Sequence, residues 1–148
     1  EKAERQAWRA ARGEAGEASL LDDVPTGMTA LARAVKLQDK AGSVGFDWND
    51  PKAVISKIRE ELDELEAEID GGMASDAAAG ELGDVLFALA NLGRHLAIDP
   101  DAALRLTSEK FRKRFSYIER ALAANGRSPK DATLAEMEAL WQAAKADV

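Results

Sequence analysis

Two short stretches place carboxylates at a spacing that chemistry can use. Residues 61–65 read Glu-Leu-Asp-Glu-Leu and residues 81–85 read Glu-Leu-Gly-Asp-Val. Each puts one acid at i and another at i+3, with a leucine directly after the first. On a helix, such positions lie about 60° apart and one turn apart along the axis. Glu61 and Glu64 therefore share one side of a helix, and Glu81 and Asp84 take the equivalent place on another. Any two carboxylates about 4 Å apart repel by roughly 4 kcal/mol at an effective dielectric near 20. Four converging in one groove require protons or cations. Oxygen ligands without His or Cys favour Mg²⁺, with Mn²⁺ as a substitute, over zinc or copper. The competing reading makes these acids ordinary solvated residues of acid-rich helices. The repeated spacing speaks against that reading. No Asp-x-Asp-x-Asp-Gly loop and no Glu-x-x-His is present, which excludes an EF-hand and a di-iron bundle.

A cationic group accompanies the acids. In Lys110-Phe-Arg-Lys-Arg-Phe115, Lys110 and Arg114 stand at i and i+4, while Phe111, Phe115 and Ile118 have core spacing. Near a metal site such cations suit a phosphate. The alternative is a solvated face paired with Glu109 and Glu119. Trp141 and Lys145 repeat the i, i+4 arrangement, either plugging the bundle or covering a ligand. Trp48 lies in a loop, where it either stacks on a base or closes a core edge. His95 falls in the last turn of a helix, where a cation suits the dipole, and no catalytic role is expected of it.

The elements that hold these residues are helical. Ala, Leu, Glu, Lys and Arg dominate, aromatics make up 5%, and no run alternates with period 2, so no sheet is expected. A first helix is read over 27–40, then a loop over 42–49. Asp50-Pro51 caps a second helix that ends at Gly71-Gly72, with Ile55, Ile58, Leu62, Leu65 and Ile69 as its apolar seam. A third helix spans 75–96, with Leu82, Val85, Leu86, Leu89, Leu92 and Leu96 inward and the acids on the flank of the stripe. Three glycines, Gly80, Gly83 and Gly93, lie inside it at about 1 kcal/mol each against alanine. Close helix packing accounts for Gly83, and Gly80 is near enough to the acids to admit a ligand. Asp99-Pro100 opens a fourth helix that ends at Asn125-Gly126. Thr133 and Glu136 have capping-box spacing and open a last helix through Lys145. Short connections predict antiparallel neighbours. The fold class is thus all-α, an antiparallel helical bundle whose seams suit pairing into a homodimer. Residues 1–24 read as a linker, helical in part around Trp8, and 25–148 as one domain.

Composition bounds the rest. The chain has 148 residues, no Cys, 20 basic and 27 acidic residues and a net charge of −7. Thiolate, iron–sulfur and Cys-zinc chemistry are excluded. The acidic balance argues against a nucleic-acid polymer or an anionic membrane as partner. No apolar run is long enough to span a bilayer, so a cytoplasmic location is expected. A first residue of Glu1 rather than Met suggests a segment of a longer chain.

These residues resemble the MazG family of nucleoside triphosphate pyrophosphohydrolases over roughly 20–146. The motifs are Lys36-Leu-Gln38, Val44-Gly-Phe-Asp-Trp48, Lys57-Ile-Arg-Glu-Glu-Leu-Asp-Glu64, Glu81-Leu-Gly-Asp-Val-Leu-Phe87, Asn91-Leu-Gly-Arg-His-Leu96, Lys110-Phe-Arg-Lys-Arg-Phe115 and Met137-Glu-Ala-Leu-Trp141. The paired acid motif is shared by related all-α pyrophosphatases, and the Val-Gly-Phe-Asp-Trp and Lys-Phe-x-x-Arg-Phe strings narrow it. The match is to the C-terminal of two tandem copies, with residues 1–24 resembling the linker before it. One departure is Gly80, where the family usually has Glu. The resemblance implies an all-α homodimer that converts a nucleoside triphosphate and water to the monophosphate and pyrophosphate. It implies Glu61, Glu64, Glu81 and Asp84 as Mg²⁺ ligands and Lys110, Arg114, Trp141 and Lys145 as nucleotide contacts. Two alternatives stand beside it. One is a non-catalytic helical dimerisation module. The other is a related pyrophosphatase of narrower substrate, dUTP or phosphoribosyl-ATP.

Overall fold

The computed structural model describes residues 3–4, 19–48, 50–72 and 75–147. The helix expected around Trp8 lies outside the described residues. Five α-helices and no strand occur among the described residues: α1 Ala30–Gly42, α2 Pro51–Asp70, α3 Ser75–His95, α4 Pro100–Ala123 and α5 Leu134–Asp147. The all-α expectation holds. None of these helices is long and apolar enough to cross a membrane.

Local capping sets the boundaries. Asp50 Oδ1 accepts from the Lys52 amide at 2.9 Å and Pro51 takes the first helical position, so α2 starts where the Asp-Pro pair predicts. Thr29 rather than Gly27 starts α1, because its hydroxyl accepts from the Ala32 amide at 3.3 Å. Thr133 and Glu136 bond reciprocally at the head of α5: the Glu136 amide donates to Thr133 Oγ1 at 3.1 Å, and the Thr133 amide to Glu136 Oε1 at 3.4 Å. At the end of α3 the Ile98 amide returns to the Gly93 carbonyl at 2.8 Å. A Cβ on Gly93 would sit 3.1 Å from the Ile98 carbonyl oxygen, so this glycine permits the close return. Gly80 and Gly83 face open space, so close packing does not account for Gly83.

The chain divides into two compact units, Glu1–Pro100 and Asp101–Val148. In the first, α2 and α3 run antiparallel: Val54 and Ile58 pack on Ala88, with Leu92 beside them, while Glu61 approaches Glu81 and Asp84. Helix α1 is tied to α3 where Gln38 Nε2 donates to the Phe87 carbonyl at 2.9 Å. Ahead of α1, a 3-10 turn over Leu20–Asp23 is capped by Ser19 and leads into the buried Val24. In the second unit Ile118, Leu122 and Ala144 are buried, and the Arg127–Glu136 ion pair of 2.6 Å braces the connection into α5.

The rotation of α2 and α3 differs from the expected seam. Val54, Ile58 and Glu61 are the buried residues of α2, and Val85, Ala88, Ala90 and Asn91 those of α3. Leu62, Ile69, Leu82, Leu86, Leu89 and Leu96, expected inward, are 44–52% exposed. The stripe 54–58–61 meets the stripe 81–84–85–88–91, so Glu61 lies within the contact face, while Glu81 is half-buried and Asp84 and Glu64 stay on the exposed flank. The small side chain of Ala88, packed on Val54 and Ile58, lets the backbones approach there, which leaves the bulky leucines on other faces. In the second unit Phe111 is likewise 60% exposed and Phe115 37%, although both have core spacing.

Candidate active site

Glu61, Glu81 and Asp84 each direct one carboxylate oxygen into a cluster whose atoms all lie within 4.8 Å of one another. Glu61 comes from the middle of α2 and the other two from the first half of α3. Their i+3 spacing on α3 and the antiparallel register bring the three together across the helix–helix groove. Glu64, one turn beyond Glu61, is exposed and neighbours Glu81 electrostatically. The structure thus unites three of the four acids singled out by spacing and places the fourth at their edge.

The electrostatics are those of a cation-seeking site. The ammonium of Lys57 lies 2.9 Å from Glu61 Oε1 and holds that carboxyl below the ordinary range. Burial, reinforced by the neighbouring carboxylates of Glu64, Glu61 and Asp84, pushes Glu81 up to about 7. Glu61 Oε2 and Glu81 Oε2 are buried with no hydrogen-bond partner among the described residues. Two buried, unpartnered carboxylate oxygens facing further acids are costly unless a proton or a cation completes them. The donor set is all oxygen, so it fits a hard divalent cation.

A cavity of about 200 Å³ opens from this cluster, lined by Trp48, Val54, Lys57, Glu61, Asp84, Phe87, Ala88 and Asn91. Acids and Lys57 form one end, and aromatic and aliphatic carbons with Asn91 the remainder. Trp48 reaches it from the loop between α1 and α2 and touches Phe46, their ring centroids 6.1 Å apart. That loop is fastened at Asp47. Arg94 Nη2 donates to Asp47 Oδ1, and His95 Nε2 lies 3.0 Å from the same oxygen. Arg94 also pairs with Asp39 at 3.5 Å. His95 therefore serves to anchor the loop, beside its favourable place at the helix terminus.

Of the expected nucleotide contacts, Lys110, Arg114, Trp141 and Lys145 belong to the second unit. There the Arg114 guanidinium stands over the Trp141 ring at 5.3 Å, and Phe111 packs on the same ring at 5.4 Å. Arg114 Nε is buried with no hydrogen-bond partner among the described residues. Lys110 and Lys145 are exposed. A separate basic cleft on this unit is lined by Arg112, Lys113, Ser116 and Arg120.

Sequence reasoning did not single out Lys57, Asp47, Asn91 or Arg94. Lys57 carried a signal, its i, i+4 relation to Glu61. The Asp47–Arg94 contact spans 47 residues and has no signature in local spacing.

No family model matches the chain. It is 40% identical over 135 residues to the nucleoside triphosphate pyrophosphohydrolase of Escherichia coli strain K12, covering 90% of this chain and 51% of that protein. It is 35% identical over 129 residues to a Thermotoga maritima protein named nucleoside triphosphate pyrophosphohydrolase/pyrophosphatase MazG, 87% of this chain and 49% of that one. An uncharacterized Bacillus subtilis protein, YabN, is 42% identical over 129 residues, a quarter of its own length (26%). The chain spans about half the length of the E. coli and T. maritima relatives. Over nine-tenths of its length the chain is thus similar to about half of each of two nucleoside triphosphate pyrophosphohydrolases, one of them named MazG.

Proposed function

We propose that this chain hydrolyses nucleoside triphosphates to the monophosphate and pyrophosphate at the acidic groove between α2 and α3. The observation that carries the reading is the convergence of Glu61, Glu81 and Asp84, with unpartnered oxygens, beside an apolar cavity of a size to take one heterocycle. The names of the E. coli and T. maritima relatives support it.

Glu61, Glu64, Glu81 and Asp84 are the proposed ligands of Mg²⁺, with Mn²⁺ as substitute. Such a cation, when bound, neutralises triphosphate oxygens and makes water more acidic. The reacting water forms a bond to the α-phosphorus as the bond from that phosphorus to the bridging oxygen breaks, and pyrophosphate leaves. Its proton passes to a carboxylate, for which Glu60 and the clustered acids are the available bases. Trp48 stacks on the base. Lys110, Arg114, Trp141 and Lys145 are proposed as nucleotide contacts because they occupy the family's motif positions and their cations suit an anionic substrate. The exposed leucines of α2 and α3 favour a homodimer that covers them.

A panel of triphosphates with a pyrophosphate readout, with and without Mg²⁺, tests the reaction. Cation-dependent release is expected, and a panel response confined to dUTP or phosphoribosyl-ATP would move the chain to a narrower activity. Glu64→Gln abolishes release while helical content by circular dichroism stays unchanged. Release indifferent to both cation and substitution overturns the proposal in favour of an interaction module.

A further inference from the structure

At the end of the cavity away from the acids, Asn91 is 4% exposed yet forms part of the wall. Its Oδ1 accepts two bonds from Arg94, Nε at 3.2 Å and Nη2 at 3.0 Å. A guanidinium has only donors, so it forces the oxygen of Asn91 towards itself and the amide nitrogen away. Among the described residues nothing accepts from that nitrogen. Arg94 is itself held in place, at Nη1 by Asp39 and at Nη2, the nitrogen it shares with Asn91, by Asp47. Asn91 therefore presents an NH₂ donor, and no acceptor, to an otherwise apolar chamber bounded by Trp48, Val54, Phe87 and Ala88.

We propose that Asn91 is a specificity-determining residue that selects bases with a carbonyl, rather than an amino group, at the position farthest from the triphosphate. The inference rests on the pyrophosphohydrolase reading and deepens it. Asp84 and Asn91 are seven residues apart on α3, two helical turns or about 10 Å along the axis. A nucleotide with its phosphates at the acids thus brings the far edge of its base to Asn91: C4 of a pyrimidine or C6 of a purine. Uracil, thymine, guanine and hypoxanthine carry a carbonyl there and receive the NH₂ bond. Cytosine and adenine carry an amino group, whose donor would oppose the donor of Asn91 in a desolvated pocket. Arg94 is a positioning residue in this scheme, since it acts through the orientation of Asn91.

Steady-state kinetics on two matched pairs, UTP against CTP and ITP against ATP, test the proposal. The wild-type chain should favour the carbonyl member of each pair in kcat/KM by about tenfold or more. Asn91→Asp keeps an acceptor for Arg94 and turns an acceptor to the pocket, so the preference should fall below one. Asn91→Ala should bring it near one. Ratios near one in the wild type, or a wild-type preference that survives in both variants, overturn the role of Asn91. If no triphosphate is hydrolysed, the reaction assignment fails on its own. Calorimetric binding of UMP against CMP and of IMP against AMP then decides the role of Asn91 by the same ratios.

Discussion

Lys57 closes on Glu61 from one helical turn away, Nζ 2.9 Å from Oε1, and leaves the second oxygen of that carboxylate buried with no partner among the described residues. One side chain thereby meets a cation on one face and an acid cluster on the other. The ammonium partly offsets the charge that α2 and α3 assemble.

Replacing Lys57 by Met removes that offset. In cation-free buffer the variant should melt below the wild type, since Glu61 then faces Glu81 and Asp84 without compensation. Added Mg²⁺ should raise its melting temperature by more than it raises that of the wild type. Thermal denaturation followed by circular dichroism, with and without Mg²⁺, reads both effects. An equal Mg²⁺ response in the two proteins rejects the idea that Lys57 and the cation share one charge cluster.

With Glu81 as a proposed cation ligand, its raised pKa predicts cation binding that depends on pH. The folded protein holds this proton up to about pH 7, whereas the unfolded chain releases it near the ordinary value of 4.5. The folded state thus binds more protons between those values, and this group's contribution to cation-free stability falls as pH rises through the window. A divalent cation must displace the proton. Apparent Mg²⁺ affinity should therefore weaken about tenfold for each pH unit below 7 over the first unit or two. Isothermal calorimetry at pH 5.5, 6.5 and 7.5 should show proton release on binding at the lower two values. Affinity that stays flat across that range counts against Glu81 as a ligand.

Lys110 and Arg114 present a test by kinetics. Lys110→Ala and Arg114→Ala should raise KM or lower kcat for triphosphate hydrolysis, by about tenfold each for loss of a charge-assisted contact. Arg114→Lys should recover little, because an ammonium lacks the planar face that stands over Trp141. Normal kinetics in both alanine variants remove these cations from the reaction.

Arg94 anchors the loop that bears Trp48, and its loss should be felt in stability. Arg94→Ala leaves Asn91 Oδ1 without its donor and Asp47 with His95 alone, and should cost about 2 kcal/mol at pH 7 in urea denaturation. Arg94 holds the Asp47 carboxyl below its ordinary value of 3.8. The contribution of the pair is thus present above pH 3.8 and lost as pH falls through the lower, folded value. The gap between wild type and variant should narrow at pH 3. A gap that does not change with pH would assign the cost to packing alone.

Much of the architecture was written in short-range chemistry. Asp50-Pro51 and the Thr133–Glu136 box act on amides within four residues, so helix starts are legible from spacing alone. The i, i+3 acids were legible for the same reason, since helical geometry alone decides that Glu61 and Glu64, or Glu81 and Asp84, share a side. The rotation of α2 against α3 was not. It depends on which stripes can approach most closely, and Ala88 opposite Val54 and Ile58 won over the larger leucines, which spacing had pointed inward. That choice turned Glu61 from the shoulder into the contact face and buried it, while Glu64 and Asp84 stayed exposed.

Sequence by itself determined that this protein is helical, where its helices begin, and which four acids lie in two matched pairs, because those features follow from interactions within a turn or two. Tertiary structure alone decided that Glu61, Glu81 and Asp84 share one cluster and that Arg94 reaches back to Asp47. It also decided that Asn91 shows its nitrogen rather than its oxygen to the cavity. Each of these depends on groups from separate elements meeting in a low-dielectric space, where unpaired charge and unpaired hydrogen bonds are costly enough to dictate orientation.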